Sequence, residues 1–384
     1  MAAGKRMVPV VTRGRVLGGS RAINAGFYSR ADQDFYRKDG INWDLRPELK
    51  NWQSAVRDGF LEARIGPYNG FSLDHLVGTK IGGSTFDSTG RRQSAADLLS
   101  YAKTSNIRVT VHAIVERVLL ATSLPYPPGG FHHAMLRDKG EVLLSAGALG
   151  SPQLLLLSGI RPSAYLSSWG IPVARHHPYV GKFVYDNSIN VISIVPSSPS
   201  PVYFTVATLM EKIVGPLSAG SLRLASTDVK VNPIVRFNYF RNPGDVERCV
   251  NGTRKIHDVL KSHFRYVGPS LPADLSNDFL MGEFCRRTVT TIWHYHEGCL
   301  VGKVVDRNFR VFGVDALKVV DDSTFTIVEF NKQQSRRKGL AGLVSGIWIQ
   351  EKRAGGGFFH LRGVPHGVVI NSLIYVSFVT GSGS

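Results

Sequence analysis

Apolar and polar residues alternate along Ile107-Arg-Val-Thr-Val-His-Ala-Ile-Val115, and the β-branched positions predict a strand there. Residues 95–101, just before it, read as helical. Glu141-Val-Leu-Leu144 predicts a short buried strand, and Ser145 to Gly150 is a turn of small residues. Ser151 is suited to cap the helix that follows, Pro152 to occupy its first turn and Gly159 to end it. A strand, a glycine turn and a helix in succession form the local architecture of a nucleotide-binding α/β sheet. Further upstream, Gly14 to Phe27 is rich in small residues and reads as a ligand-facing loop entering a helix.

The texture changes from about residue 176. Ser197-Ser-Pro-Ser-Pro201 is a loop, residues 219–240 read as short strands, and Pro243 to Lys261 reads as a helix with Asp245 and Glu247 near its positive end. An α/β texture returns after residue 285, with strands predicted at Val301–Val305 and Leu317–Val320. After Phe330 the composition shifts again, through the polar run Lys332–Lys338 and the break Gly355-Gly-Gly357.

Composition narrows the function classes. The chain has 384 residues, 43% hydrophobic and 20% charged, enough for one large domain or two ordinary ones. Basic residues outnumber acidic ones by 46 − 29 = 17. They are scattered and no nucleic-acid-binding motif accompanies them, so no nucleic-acid partner is expected. The longest apolar tract, Val368 to Val379, falls short of the roughly 20 residues a membrane helix needs, and no membrane partner is expected. Met1 to Thr12 lacks the apolar core of a signal peptide. The three cysteines show neither paired zinc spacing nor a dense disulfide framework. Asn251-Gly-Thr253 is a glycosylation triplet that matters only in a secreted protein.

Three segments resemble the glucose–methanol–choline oxidoreductase family, in its plant branch of mandelonitrile lyases and HOTHEAD-like proteins. They are Gly14-Arg-Val-Leu-Gly-Gly-Ser-Arg-Ala-Ile-Asn-Ala-Gly-Phe-Tyr28, Gly147-Ala-Leu-Gly-Ser-Pro-Gln-Leu-Leu-Leu-Leu-Ser-Gly-Ile160, and Trp293-His-Tyr-His-Glu-Gly-Cys-Leu-Val-Gly302 with Val319-Val-Asp-Asp-Ser-Thr-Phe325. They occur in the family's order and spacing. The resemblance implies FAD as cofactor and a small-molecule alcohol as substrate. It places Val16, Ser20, Asn24, Ala25, Gly26, Phe27, Val115, Trp293, His294, Asp321 and Asp322 around the flavin. It also makes His294 the catalytic base, taking a hydroxyl proton while hydride leaves carbon. His296 takes a supporting role, and no third ligand suggests a metal.

The implied fold is α/β: a partial FAD-binding Rossmann-like domain with a reduced α+β substrate domain built on an antiparallel sheet. The boundaries expected are 1–175 for the first part of the FAD domain, 176–284 for the shortened substrate region, 285–330 for the catalytic segment and 331–384 for a divergent tail. Several departures from the family pattern bear on activity. No G-x-G-x-x-G turn precedes Gly14, so the pyrophosphate is expected to be held weakly. Arg21, Arg161 and Glu297 stand where the pattern has small residues, and the segment carrying a second catalytic residue does not follow Thr326. Two alternatives stay open. One is a hydroxynitrile lyase with structural FAD, weakened by Ile292 standing where that branch has a tyrosine. The other is a non-catalytic remnant.

Overall fold

The computed structural model of the protein describes residues 13–17, 19–23, 27–28, 51–72, 78–81, 83–84, 91–92, 94–101, 105, 107–120, 140–162, 169–196, 207–213, 215–261, 264–325, 348–351 and 372–375. The helices are α1 Asn51–Glu62, α2 Gly147–Leu157, α3 Pro243–Leu260 and α4 Asp278–Thr288. The early strands are β1 Phe27–Tyr28, β2 Tyr68–Phe71, β3 Thr79–Ile81, β4 Gly83–Ser84, β5 Val142–Leu144, β6 Ile160–Arg161 and β7 Arg175–His176. They are followed by β8 Lys182–Pro196, β9 Ala207–Lys212, β10 Gly220–Arg223, β11 Ile234–Arg236, β12 Phe264–Gly268 and β13 Val289–His296. The last are β14 Leu317–Val319, β15 Trp348–Glu351 and β16 Ser372–Tyr375.

The expected strand–turn–helix unit is present. β5 leads through Gly147, at φ +83°, into α2, and β14 returns parallel to β5 with Leu317, Lys318 and Val319 opposite Val142, Leu143 and Leu144. α2 is apolar around its whole circumference and buried on all sides, as a helix packed inside a core must be. Each of its four consecutive leucines, Leu154 to Leu157, contributes roughly 1.5–3 kcal/mol by leaving water. Gly159, at φ +76°, ends the helix as expected. The start differs from the reading above. α2 begins at Gly147, so Ser151 and Pro152 lie inside it, and an aspartate from a distant segment does the capping.

Two further expectations are corrected. Ile107–Val115 forms no strand: every residue from Ile107 to Arg117 is exposed and none belongs to a ladder. Alternation favours extended backbone, but a strand also needs a neighbour, and among the described residues the parallel ladder beside α2 consists of β5 and β14 alone. The chain rejoins the core at Val118, whose N–H donates to Ser158 Oγ at 2.8 Å. Val301–Val305 is a run of turns closed by isolated bridges, Val301 to Val305 and Val305 to Val311. Residues 95–101 are helical as expected, in the tighter 3₁₀ form. The turn expected at Pro125–Gly130, the loop Ser197–Pro201, and the runs Lys332–Lys338 and Gly355–Gly357 lie outside the described residues.

The antiparallel sheet expected for the middle of the chain is built on β8. This strand pairs with β9, β10, β12 and β13, and β11 extends the sheet beyond β10. α3 and α4 pack together beside it. Asn242 caps α3 by accepting the Gly244 N–H at 2.9 Å, and Asp245 in the first turn accepts the N–H groups of Leu217 and Ser218. One apolar cluster surrounds α2 and joins the parallel unit to the large sheet through Val184, Leu222, Phe237 and Tyr295. A disulfide, Cys249–Cys285, ties α3 to α4.

Candidate active site

The ladder between β13 and β8 breaks at the expected base. Val289, Thr290 and Thr291 lie opposite Asn190, Ile189 and Ser188, after which the register shifts and Tyr295 and His296 lie opposite Asp186 and Tyr185. Ile292, Trp293 and His294 therefore bulge out against the single residue Asn187. Trp293 adopts φ +60°, a left-handed conformation that costs a bulky residue roughly 1–3 kcal/mol. The side chains of Trp293 and His294 are exposed on the bulge, while Thr291 and Tyr295 on either side are buried.

Buried polar groups hold this conformation. The Trp293 N–H donates to Thr291 Oγ1 at 2.8 Å, and the His294 N–H donates to Asp186 Oδ1 at 3.1 Å. Asp186 is 1% exposed, and its second oxygen accepts from the Tyr239 hydroxyl. Tyr239 packs on Phe237, which stacks on Tyr295 with ring centroids 5.2 Å apart. The bulge is thus fastened at its base to the main apolar cluster.

The electrostatics follow from this crowding. Burial raises the Asp186 carboxyl to about 6, while hydrogen bonds from Thr291, Tyr239 and the His294 N–H work to hold it down. Burial lowers Lys212, at the end of β9, to about 8, and the charge of Asp186 opposes that shift. The His294 imidazole lies well below its ordinary value, first because protein encloses it, then because Lys212 and His296 disfavour a positive charge beside them. The residue is nonetheless exposed at the surface of the bulge. His296 stacks on Tyr185 with centroids 5.6 Å apart, and its Nδ1 lies 3.0 Å from the His294 carbonyl oxygen.

Beyond the bulge, β13 is tied to the segment after β14. The N–H groups of Glu297 and Cys299 donate to the carbonyl oxygens of Asp322 and Ser323, at 3.0 and 2.9 Å. Glu297 is buried at φ +63°, a backbone conformation that favours glycine, which is the residue the family pattern has there. Asp321 Oδ2 accepts the Gly147 N–H at 2.9 Å and the Ser151 hydroxyl, and Oδ1 accepts the Ser323 N–H at 2.8 Å. Both oxygens are therefore engaged by the chain itself, and the positive end of α2 is closed by a carboxylate. The neighbouring Asp322 is exposed, yet enclosure and the charge of Asp321 raise its carboxyl to about 6.

The first signature packs against α2 from the other side. Arg13 Nη2 donates to Gln153 Oε1 at 2.9 Å, and the Gly14 N–H donates to Ser20 Oγ at 2.9 Å, closing a turn. A Cβ on Gly14 would stand 2.8 Å from the Gly19 carbonyl carbon, so the turn requires glycine. Val16 is 50% exposed. Phe27 belongs to β1, opposite Ser84 of β4. Asn24, Ala25 and Gly26 lie outside the described residues. Val115 is exposed and in no ladder. Arg161, the other departure in the second signature, is fully buried and donates from Nη2 to the Ile171 carbonyl at 3.0 Å.

The hydrogen bonds thus link the three resembling segments in space: the Gly14 turn to α2, α2 to Asp321, and the Asp321 segment to the end of β13. Reasoning on the sequence missed Asp186, Tyr239 and Lys212. A readable signal existed for Asp186, a lone acid near the start of the otherwise apolar and neutral run Phe183–Val195. The donor set suits the reacting end of a flavin. It offers a reachable neutral imidazole, an exposed indole beside it and an exposed glycine turn, with no carboxylate facing the turn from α2.

The fold thus joins a parallel α/β unit to a large antiparallel sheet, with a histidine on the bulge of that sheet. Models of the GMC oxidoreductase family match residues 72–186 and 216–333. An (R)-mandelonitrile lyase-like protein of Arabidopsis thaliana is 53% identical, over 82% of this chain and 72% of that protein. Sinalpyl alcohol oxidase Nec3 of Nesocodon mauritianus is 39% identical, over 91% of this chain and 77% of its own length. Among solved structures, pyridoxine 4-oxidase from Mesorbium loti shares the fold with a TM-score of 0.62 at 22% identity, covering 81% of this chain and 79% of that one. The chain belongs to the GMC oxidoreductase family.

Proposed function

We propose that the protein oxidises the CH–OH group of a small-molecule alcohol with bound FAD, and that His294 takes the hydroxyl proton. The observation that carries this reading is the reachable imidazole of His294, kept uncharged at neutral pH on a bulge anchored by Asp186. An uncharged imidazole is ready to accept a proton, and general-base assistance of this kind is worth roughly 10²–10⁴-fold in rate. FAD, when bound, supplies the acceptor for the hydride that leaves carbon. Trp293, exposed beside the base, limits which alcohols reach it. Lys212 and His296 disfavour the imidazolium, so the proton passes on to solvent rather than resting on His294.

The name of the Arabidopsis relative favours a second reading, a lyase in which His294 moves a proton with no net redox. Ile292, in place of the tyrosine that the resemblance puts in the lyase branch, weighs for oxidation. The test is to keep the purified chain in excess FAD, which offsets weak hold on the pyrophosphate, and to add an aryl alcohol without oxygen. Bleaching of the visible flavin band is expected, and His294→Ala should slow it by at least 10²-fold. Release of cyanide from mandelonitrile with the band intact would establish the lyase instead. Neither bleaching nor cyanide release in saturating FAD would exclude both.

A further inference from the structure

α3 carries Asn251-Gly252-Thr253, and the helix sorts these three residues between two environments. Glu247 and Asn251, one turn apart, face solvent, whereas Cys249, Val250, Gly252 and Thr253 are buried. Two residues before the asparagine, Cys249 is joined to Cys285 of α4. Structural disulfides form in oxidising compartments, and N-linked glycans are added on entry to the same route. The triplet and the disulfide are independent observations on one helix, and they point to one history for the chain.

We propose that Asn251 is an N-glycosylation site, modified while α3 is still unfolded and before Cys249 is locked to Cys285. In the transfer, the side-chain amide nitrogen of Asn251 attacks the anomeric carbon of an oligosaccharide carried on a polyprenyl diphosphate. A C–N bond forms, the C–O bond to the diphosphate breaks, one amide proton is released, and no electrons are exchanged.

The timing comes from the packing. The Thr253 hydroxyl, which the transferase must engage along with the asparagine, is 1% exposed in the folded protein. It lies 3.9 Å from the sulfur of Cys249 and 4.0 Å from that of Cys285. Gly252 is closed in as well, since a Cβ there would stand 2.3 Å from the Glu211 side chain. Folded α3 therefore hides the part of the triplet that confers recognition, while the unfolded chain displays all of it. Cys285 follows Cys249 by 36 residues, so at roughly 5–20 residues per second Cys249 waits about 2–7 s for its partner to be made. After folding, Asn251 carries the glycan outward from the solvent face and leaves the α3–α4 interface undisturbed.

The experiment is to produce the full chain through the secretory route of a eukaryotic cell. The Asn251 peptide is then read by mass spectrometry after enzymatic glycan release in heavy-oxygen water, which marks an occupied asparagine. Occupancy is expected in the natural sequence, with none in Asn251→Gln, whose melting temperature should be unchanged because the side chain is exposed. Occupancy should rise in Cys285→Ser. Since that variant is less stable, brief treatment of cells with a membrane-permeant thiol during synthesis of the natural sequence gives a second measure, and it should raise occupancy too. An unoccupied Asn251 in the secreted natural chain overturns the proposal. Equal occupancy with and without the disulfide overturns the order of events.

Discussion

The groups around His294 keep its imidazole ready to accept a proton. Enclosure, Lys212 and His296 all lower its affinity for a proton, and its own N–H is anchored on Asp186. Because its folded pKa lies below the ordinary value of 6.5, the imidazole stays uncharged as the pH falls to a point where a free histidine would be protonated. The acid limb of kcat/KM against pH should therefore lie below 6.5. Lys212→Met removes a positive neighbour, which raises the His294 pKa and moves the limb to higher pH. Lys212 itself titrates near 8, so the two profiles should converge above that pH. Steady-state rates between pH 4.5 and 9 measure this, and coincident acid limbs would show that Lys212 does not act on the base.

Among the elements, α2 depends most on a remote residue. Its interior is apolar, but its first turn needs an acceptor, which Asp321 supplies from the far side of the parallel ladder. Asp321→Ala leaves the Gly147 N–H and the Ser151 hydroxyl without this partner, and a loss of roughly 1–3 kcal/mol is expected. Chemical denaturation monitored by far-ultraviolet circular dichroism should show the midpoint falling, with Asp321→Asn falling less. A midpoint unchanged in Asp321→Ala would mean that Ser151 alone closes the helix. The same aspartate lies between the glycine turn and the bulge, so loosening it should also lower flavin retention.

Across the whole molecule, the large sheet, the parallel unit and the helix pair are held to one another by packing, and within the helix pair the disulfide adds a covalent tie between α3 and α4. It closes a loop of 36 residues between two fully buried sulfurs. Replacing both cysteines by serine should cost about 2–4 kcal/mol, with the melting temperature falling accordingly. The effect should be confined to α3, α4 and the sheet edge they cover, so hydrogen exchange in α2 ought to change little. Equal loss of protection in α2 would show that the two parts unfold as one unit.

Much of this was legible in the residues themselves. The β5–α2 unit was readable from a short apolar run, a small-residue turn and a leucine row, because strand, turn and helix signals are local. α3 was readable for the same reason, from Pro243, Asp245 and Glu247 at its start. The resemblance carried by Gly14–Tyr28, Gly147–Ile160 and Trp293–Gly302 led to the family and to His294. Tertiary structure decided the rest. Ile107–Val115 has the pattern of a strand but no neighbour to pair with, and pairing is a property of two segments. The bulge at Ile292–His294, the anchoring of His294 on Asp186, the charge of Lys212 beside the base and the union of Cys249 with Cys285 all join residues far apart in the chain. Side chains brought together only by folding leave no periodic trace in a sequence, so no local pattern announces them.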